Sequence, residues 1–184
     1  MLPWSAKYLP KNIDGIKGQN NLKILLNMVK NYRKKPIIIY GPTGVGKTSV
    51  VYAIANELDY DVIELNSSEL RNQKIVTQIL ENSSQQMSLI SKGKIILIDE
   101  VEGLSRKDRG ALSAVSNYIP KCKWPIIITC QDPYMNKLKK VRKKSSLVEF
   151  NKVDWKDIFE LLKEICLAEK ISYDEDILNN IAIF

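Results

Sequence analysis

Continuous apolar runs alternate with stretches whose apolar residues recur at helical spacing. Residues 37–40, 94–99 and 125–129 are runs of mostly isoleucine and leucine, the pattern of strands buried on both faces. Asp61-Val62-Ile63-Glu64-Leu65 supplies a further strand, and residues 146–150 a shorter, more polar one. Between them, residues 20–34 set Leu22, Leu25, Leu26, Val29 and Tyr32 on one helical face, and residues 49–58 form a second helix. Ser67-Ser68-Glu69 caps a third helix reaching toward residue 90, with Ile75, Ile79 and Leu80 on its apolar face. Residues 106–118 make a fourth, stopped by Pro120. Strands alternating with helices predict an α/β fold, a five-stranded parallel sheet wound by helices. Beyond Val153 the pattern is purely helical. Asp154 caps a helix carrying Ile158, Leu161, Leu162 and Ile165, and residues 174–183 begin another, the expected start of a small helical domain.

Composition narrows the classes. A chain of 184 residues, 45% apolar, suits one domain with the beginning of a second. No apolar run approaches the roughly 18 residues that span a membrane, and residues 1–5 lack a charged-then-apolar leader pattern, so no membrane partner and a cytoplasmic location are expected. The three cysteines, Cys122, Cys130 and Cys166, are scattered and histidine is absent, which argues against a zinc site. Cys130 lies in an apolar run and reads as a buried small hydrophobe. The net charge of +7 is mostly lysine, which suits a polyanionic partner or reflects a composition rich in Lys, Ile and Asn.

The chemistry concentrates at strand ends. Gly41-Pro42-Thr43-Gly44-Val45-Gly46-Lys47-Thr48 follows the first strand and opens a helix beginning near Ser49, a complete G-x-x-x-x-G-K-T loop. Its glycines let backbone N–H groups converge on an anion, and the helix adds its positive end. Lys47 supplies a charge for outer phosphates and Thr48 a hydroxyl for Mg²⁺. This arrangement predicts binding of a nucleoside triphosphate. The third strand delivers Asp99 and Glu100 at the sheet edge where ligands sit. Asp99 is expected to hold Mg²⁺ opposite Thr48, and Glu100 to deprotonate the attacking water. The fourth strand ends in Thr129-Cys130-Gln131, and the Gln131 amide is expected to reach the γ-phosphate or the water.

Loop, acidic pair and polar strand tip in this order resemble an AAA+ ATPase. Pro3-Trp4-Ser5-Ala6-Lys7-Tyr8-Leu9-Pro10-Lys11 resembles the P-W-x-E-K-Y-R-P box of replication factor C clamp loaders, and Gly18-Gln19 their second N-terminal box. Asp99-Glu100-Val101-Glu102-Gly103-Leu104 is similar to the large subunit's D-E-V-D-G-[ILM], and Gln131-Asp132-Pro133-Tyr134 to its N-D-P-[YW]. The likeness, to large subunits of the archaeal type, covers essentially the whole chain. It implies an AAA+ P-loop fold divided into residues 1–20, the box segment, 21–152, the ATPase core, and 153–184, a partial helical lid.

The same resemblance implies loading of a sliding clamp onto primed double-stranded DNA, in a ring with clamp loader small subunits. Arg106, Lys107 and Arg109 open the helix that lines the DNA channel in such loaders, where they would contact phosphates without reading bases. A second basic run, Lys137 to Lys144, is a solvated loop or a DNA or subunit contact. Departures are specific. Gln131 replaces the family's sensor asparagine, and Ala6 and Leu9 replace its Glu and Arg. Residues 143–147 have no arginine where small subunits carry their arginine finger, as is usual in large subunits, so this chain is expected to receive a finger and donate none. The sequence stops about where the second-sensor arginine would begin, so slow hydrolysis is expected of the isolated chain. Trp4, Tyr8 and Trp124 read as packing residues.

Overall fold

A computed structural model describes residues 3–65, 76–81, 91–104 and 109–183. Five parallel strands, β1 (Ile37–Tyr40), β2 (Tyr60–Leu65), β3 (Gly93–Ile98), β4 (Ile126–Cys130) and β5 (Ser146–Glu149), form one sheet in the order β2-β3-β4-β1-β5. β4 lies between β1 and β3, with Ile37 opposite Ile127 and Ile98 opposite Ile128. The order follows from chain path: after β1 the chain crosses to the far edge and returns through β3 to β4, then passes β1 to reach β5. All five C-terminal ends share one edge, and the tip of β4 separates the loop after β1 from the acids after β3.

Alternate side chains of the central strands enter two cores, as a pleated sheet requires. Ile38, Ile96, Ile98, Ile126 and Ile128 pack with Leu112 and Val115 of α5 (Arg109–Tyr118) on one face. Ile37, Ile39, Ile95, Leu97 and Ile127 pack with Leu25, Leu26 and Val29 of α2 (Leu22–Lys30), and with Val50, Val51 and Ile54 of α3 (Lys47–Leu58), on the other. Each such side chain contributes about 1.5–3 kcal/mol when fully buried.

The predicted elements recur with shifted ends. The helix expected over 20–34 stops at Lys30, capped by the Asn31 N–H on the Asn27 carbonyl; Lys34 is left-handed and Lys35 precedes a proline, which disfavours helix. α3 begins two residues before Ser49, at Lys47, because the loop itself delivers the helix start. Most of the helix expected over 67–90 lies outside the described residues; 76–81 are helical (α4), with Val76 and Leu80 buried in the first core. Of the helix expected from Arg106, the described part starts at Arg109, and after Tyr118 the chain tightens into a 3₁₀ turn at Ile119–Lys121. A short α6 (Lys139–Arg142) precedes β5.

The C-terminal helices α7 (Trp155–Glu169) and α8 (Glu175–Ile183) pack against each other. Asp154 caps α7 by accepting from the Lys156 N–H. The N-terminal helix α1 (Trp4–Lys7) is tied to the far end of α7: Lys7 Nζ and Tyr8 Oη both donate to Glu169, at 2.6 and 2.7 Å. Trp124 packs against the first core, but Trp4 is 48% exposed and packs on neither, since its short helix lies outside the sheet's cores. Among the described residues, no helix is long and apolar enough to cross a membrane.

Candidate functional site

The turn after β1 needs its glycines. Gly41 has φ +148, and a Cβ there would lie 2.0 Å from the Phe150 carbonyl oxygen, so β5's end excludes any side chain. Gly44 and Gly46 are left-handed, at φ +81 and +90, and Gly46 hands the chain directly to α3. The first-turn amides of α3 therefore face the space above the sheet edge, where their dipole favours an anion. Lys47 folds back over the loop, its ammonium donating to the Gly41 and Pro42 carbonyls at 2.9 and 2.6 Å.

Three side chains from three elements meet beside it. Thr48 Oγ1, on α3, donates to both carboxylate oxygens of Asp99, at 2.9 and 3.0 Å. Thr129, fully buried on β4, donates to Asp99 Oδ1 at 2.5 Å and accepts from the Glu100 backbone N–H at 2.9 Å. Glu100 is exposed and its backbone is left-handed, φ 48 and ψ 55, a conformation that a non-glycine residue adopts at a cost of about 1–3 kcal/mol. That bend ends the strand and starts the 3₁₀ turn Val101–Gly103.

The mouth is completed from β4's tip. Gln131 Nε2 donates to Thr43 Oγ1 at 3.0 Å, and its backbone N–H donates to the Glu102 carboxylate. Lys137 Nζ holds the acidic turn by donating to the Glu102 and Leu104 carbonyls, both at 2.8 Å. The open cleft, about 310 Å³, is lined by Thr43, Gly44, Gly46, Lys47, Thr48, Ser49, Glu100, Glu102, Gly103, Thr129 and Gln131. Beneath it, burial pushes the Cys130 thiol up to about 12, so this side chain is inert, as its apolar setting leads one to expect.

Most predicted site residues thus converge. Asp99 lies just below the cavity, held by Thr48 and Thr129. Gly41 and Pro42 face a neighbouring cavity of about 490 Å³ instead. Val45 is buried and lines a third, of about 540 Å³, with Val153, Trp155 and Ile158 at the foot of α7. Arg106 and Lys107 lie outside the described residues, and Arg109 is the first residue of α5. The basic run divides: Lys137 is spent on backbone carbonyls, while Arg142 donates to the Pro133 carbonyl at 2.9 Å and stacks 4.7 Å from the Tyr134 ring. Two residues that the sequence reading quoted in its motifs without a role, Thr129 and Glu102, shape the site. The signal for Thr129 was a hydroxyl closing an all-isoleucine strand.

The site can hold a hard cation by its chemistry, because Thr48 and Asp99 present oxygen donors to one another across the cavity floor. Its cradle of amides and the Lys47 ammonium suit a polyphosphate.

Comparison with known proteins agrees. The family model for ATPases associated with various cellular activities matches residues 37–134. The replication factor C large subunit of Nanoarchaeum equitans is 44% identical over 187 residues, which cover 98% of this chain and 44% of that protein. That of Thermofilum pendens is 38% identical over 190 residues, covering 99% and 46%. The chain thus spans less than half the length of these relatives. Among solved structures, the RuvB Holliday junction branch migration motor of Thermotoga maritima superposes with a TM-score of 0.68 at 21% identity, over 95% of this chain and 59% of that one. A mutant RuvB from the same organism gives 0.73 at 20% identity, over 96% and 60%. These two likenesses concern the fold.

Proposed function

The chain belongs to the family of ATPases associated with various cellular activities, and we propose that within it the chain is the nucleotide-binding part of a replication factor C large subunit, acting in a clamp loader. The observation that carries this reading is the meeting of Thr48, Asp99, Thr129 and Glu100 beside a complete phosphate loop, in a sequence 44% identical to such a subunit over nearly its whole length.

In this reading ATP lies with its phosphates against the backbone amides of Gly44, Gly46, Lys47, Thr48 and Ser49, which line the cavity, while Gly41 and Pro42 shape the turn beside it. Lys47 exchanges its two loop carbonyls for the β- and γ-phosphates. Thr48 and Asp99 hold Mg²⁺, which supplies positive charge to the transferred phosphoryl group. Glu100 accepts the proton of the attacking water, and the Gln131 amide orients that water or the γ-phosphate. Residues 1–20 serve as a box segment, 21–152 as the core and 153–184 as part of a lid. Arg106, Lys107 and Arg109 follow the DNA backbone. A neighbouring small subunit supplies the arginine that this chain lacks, and ATP binding closes a ring that opens the sliding clamp and grips primed DNA.

A second reading, a nucleotide-binding scaffold with little hydrolysis, is favoured by one contact: Gln131 spends its amide on Thr43 rather than projecting freely. A loader assembled with small subunits whose own phosphate loops are inactivated separates the two. With clamp and primed DNA present, Glu100→Gln is expected to lower turnover about 10²–10⁴-fold while nucleotide stays bound. Equal turnover in wild type and variant would favour the scaffold, and failure of the chain to co-purify with small subunits would remove the loader assignment.

A further inference from the structure

The second N-terminal box takes no part in the chemistry above, yet its glutamine is buried and fully engaged. Gln19 is buried, 9% exposed, and its carboxamide makes three hydrogen bonds. Nε2 donates to the Asn151 carbonyl at 2.8 Å and to the Val45 carbonyl at 3.4 Å, while Oε1 accepts from the Asn151 N–H at 3.1 Å. Both backbone polar groups of Asn151, between β5 and α7, are thus held by one side chain that also touches the phosphate loop. Gly18 makes the approach possible. Its φ is +72, and a Cβ there would lie 2.8 Å from Val153 Cγ1, against the foot of α7.

We infer that Gln19 is a positioning residue that couples the phosphate loop to the orientation of the α7–α8 helices. The loop end of this coupling follows from peptide geometry. The Val45 carbonyl and the Gly46 N–H belong to one trans peptide and point in opposite directions. Holding that carbonyl toward Gln19 turns the Gly46 N–H toward the cavity that Gly46 lines, where an anion would take it. The helix end follows from Asn151, three residues before the α7 cap Asp154. An anion that draws the Gly46 N–H further into the cavity moves the Val45 carbonyl in the same rigid peptide, and so shifts Gln19 and with it the base of α7. Trp155, the first residue of α7, lines the cavity that Val45 shares and reports this movement.

The inference rests on the triphosphate reading of the loop, and its test keeps the two apart. In a chain carrying Trp4→Phe and Trp124→Phe, Trp155 is the remaining tryptophan fluorophore. Magnesium tripolyphosphate is the probe, since it fills a phosphate loop and has no base to touch Trp155. Binding is followed by calorimetry and Trp155 emission in the same samples. Gln19→Met removes all three hydrogen bonds; Gln19→Glu keeps the acceptor for the Asn151 N–H and loses both donors, and serves if the first variant does not fold by circular dichroism. The expected result is a Trp155 change on binding in the Gln19 protein, affinity weakened about tenfold in the variant, and loss of the Trp155 change at equal occupancy. A Trp155 change retained in full by the variant, or absent from the Gln19 protein despite binding, overturns the inference alone. No binding of tripolyphosphate or ATP by the Gln19 protein overturns the triphosphate reading and the coupling with it.

Discussion

One hydroxyl governs the geometry of both acids at the proposed active site. Thr129 supports the Asp99 carboxylate with its proton and the left-handed Glu100 peptide with its lone pair. Thr129→Val keeps the shape and leaves the partly buried Asp99 carboxylate and Glu100 N–H each one partner short, a deficit of at most about 1–3 kcal/mol for each. Turnover of the assembled loader is expected to fall roughly tenfold or more with ATP affinity little changed, and Thr129→Ser to restore most of it. Parallel losses in the serine and valine variants would contradict this role. The loop and the acidic pair were legible in the sequence because their chemistry is local, eight residues in one case and two in the other. Thr129 was not, because its partners lie just after β3, 29 and 30 residues away, and only the β3–β4 register brings them together. Lys137 and Arg142 were misread for a related reason: a lysine or arginine that satisfies backbone carbonyls looks, in sequence, like any solvated one. The cysteines offer a simple check. Burial raises the thiol pKa of Cys122 and Cys130, the latter to about 12, while Cys166 is only half-buried. Thiol labelling of the folded chain at pH 8 should modify Cys166 first, with the other two reacting only on unfolding.

At the level of elements, the three central strands were readable because a strand covered on both faces has no polar positions to blur its pattern. Element ends were less readable, since a cap or a following proline ends α2 before its apolar spacing does. Nothing in the sequence indicated that α1 would be pinned to α7, as that tie spans 162 residues between Lys7 and Glu169. Its pH dependence follows from the shifts. The Lys7 hydrogen bond, joined by that of Tyr8, holds the Glu169 carboxyl below its ordinary 4.5, and Glu169 in turn raises Lys7 above its ordinary 10.5. A lowered carboxyl pKa means that its contribution is present above 4.5 and lost as pH falls through the folded value; a raised ammonium pKa means the reverse at the alkaline end. The tie therefore holds across the neutral range. A carbon-13 titration of the Glu169 carboxyl should show a midpoint below 4.5 that moves upward in Lys7→Met. An unmoved midpoint would mean that the pair does not form in solution.

For the whole molecule, sheet order is what makes the site. Placing β4 between β1 and β3 brings Gln131 and Thr129 between the phosphate loop and the acids, and the alternation of strands and helices already implied such a neighbourhood without fixing which strand sits where. The loader assignment rests on kinship with subunits more than twice as long, so it is tested in the assembly, whereas the proposed triphosphate binding concerns this chain's own loop and is tested on it directly. Titration of Mg-ATP into the purified chain and into Lys47→Ala, followed by calorimetry, is that test. The site as described predicts binding by the wild-type chain and affinity at least about 30-fold weaker in the variant, because the ammonium makes charge-assisted bonds to phosphate. Equal affinities in the two proteins, or no binding by the wild-type chain, would contradict it.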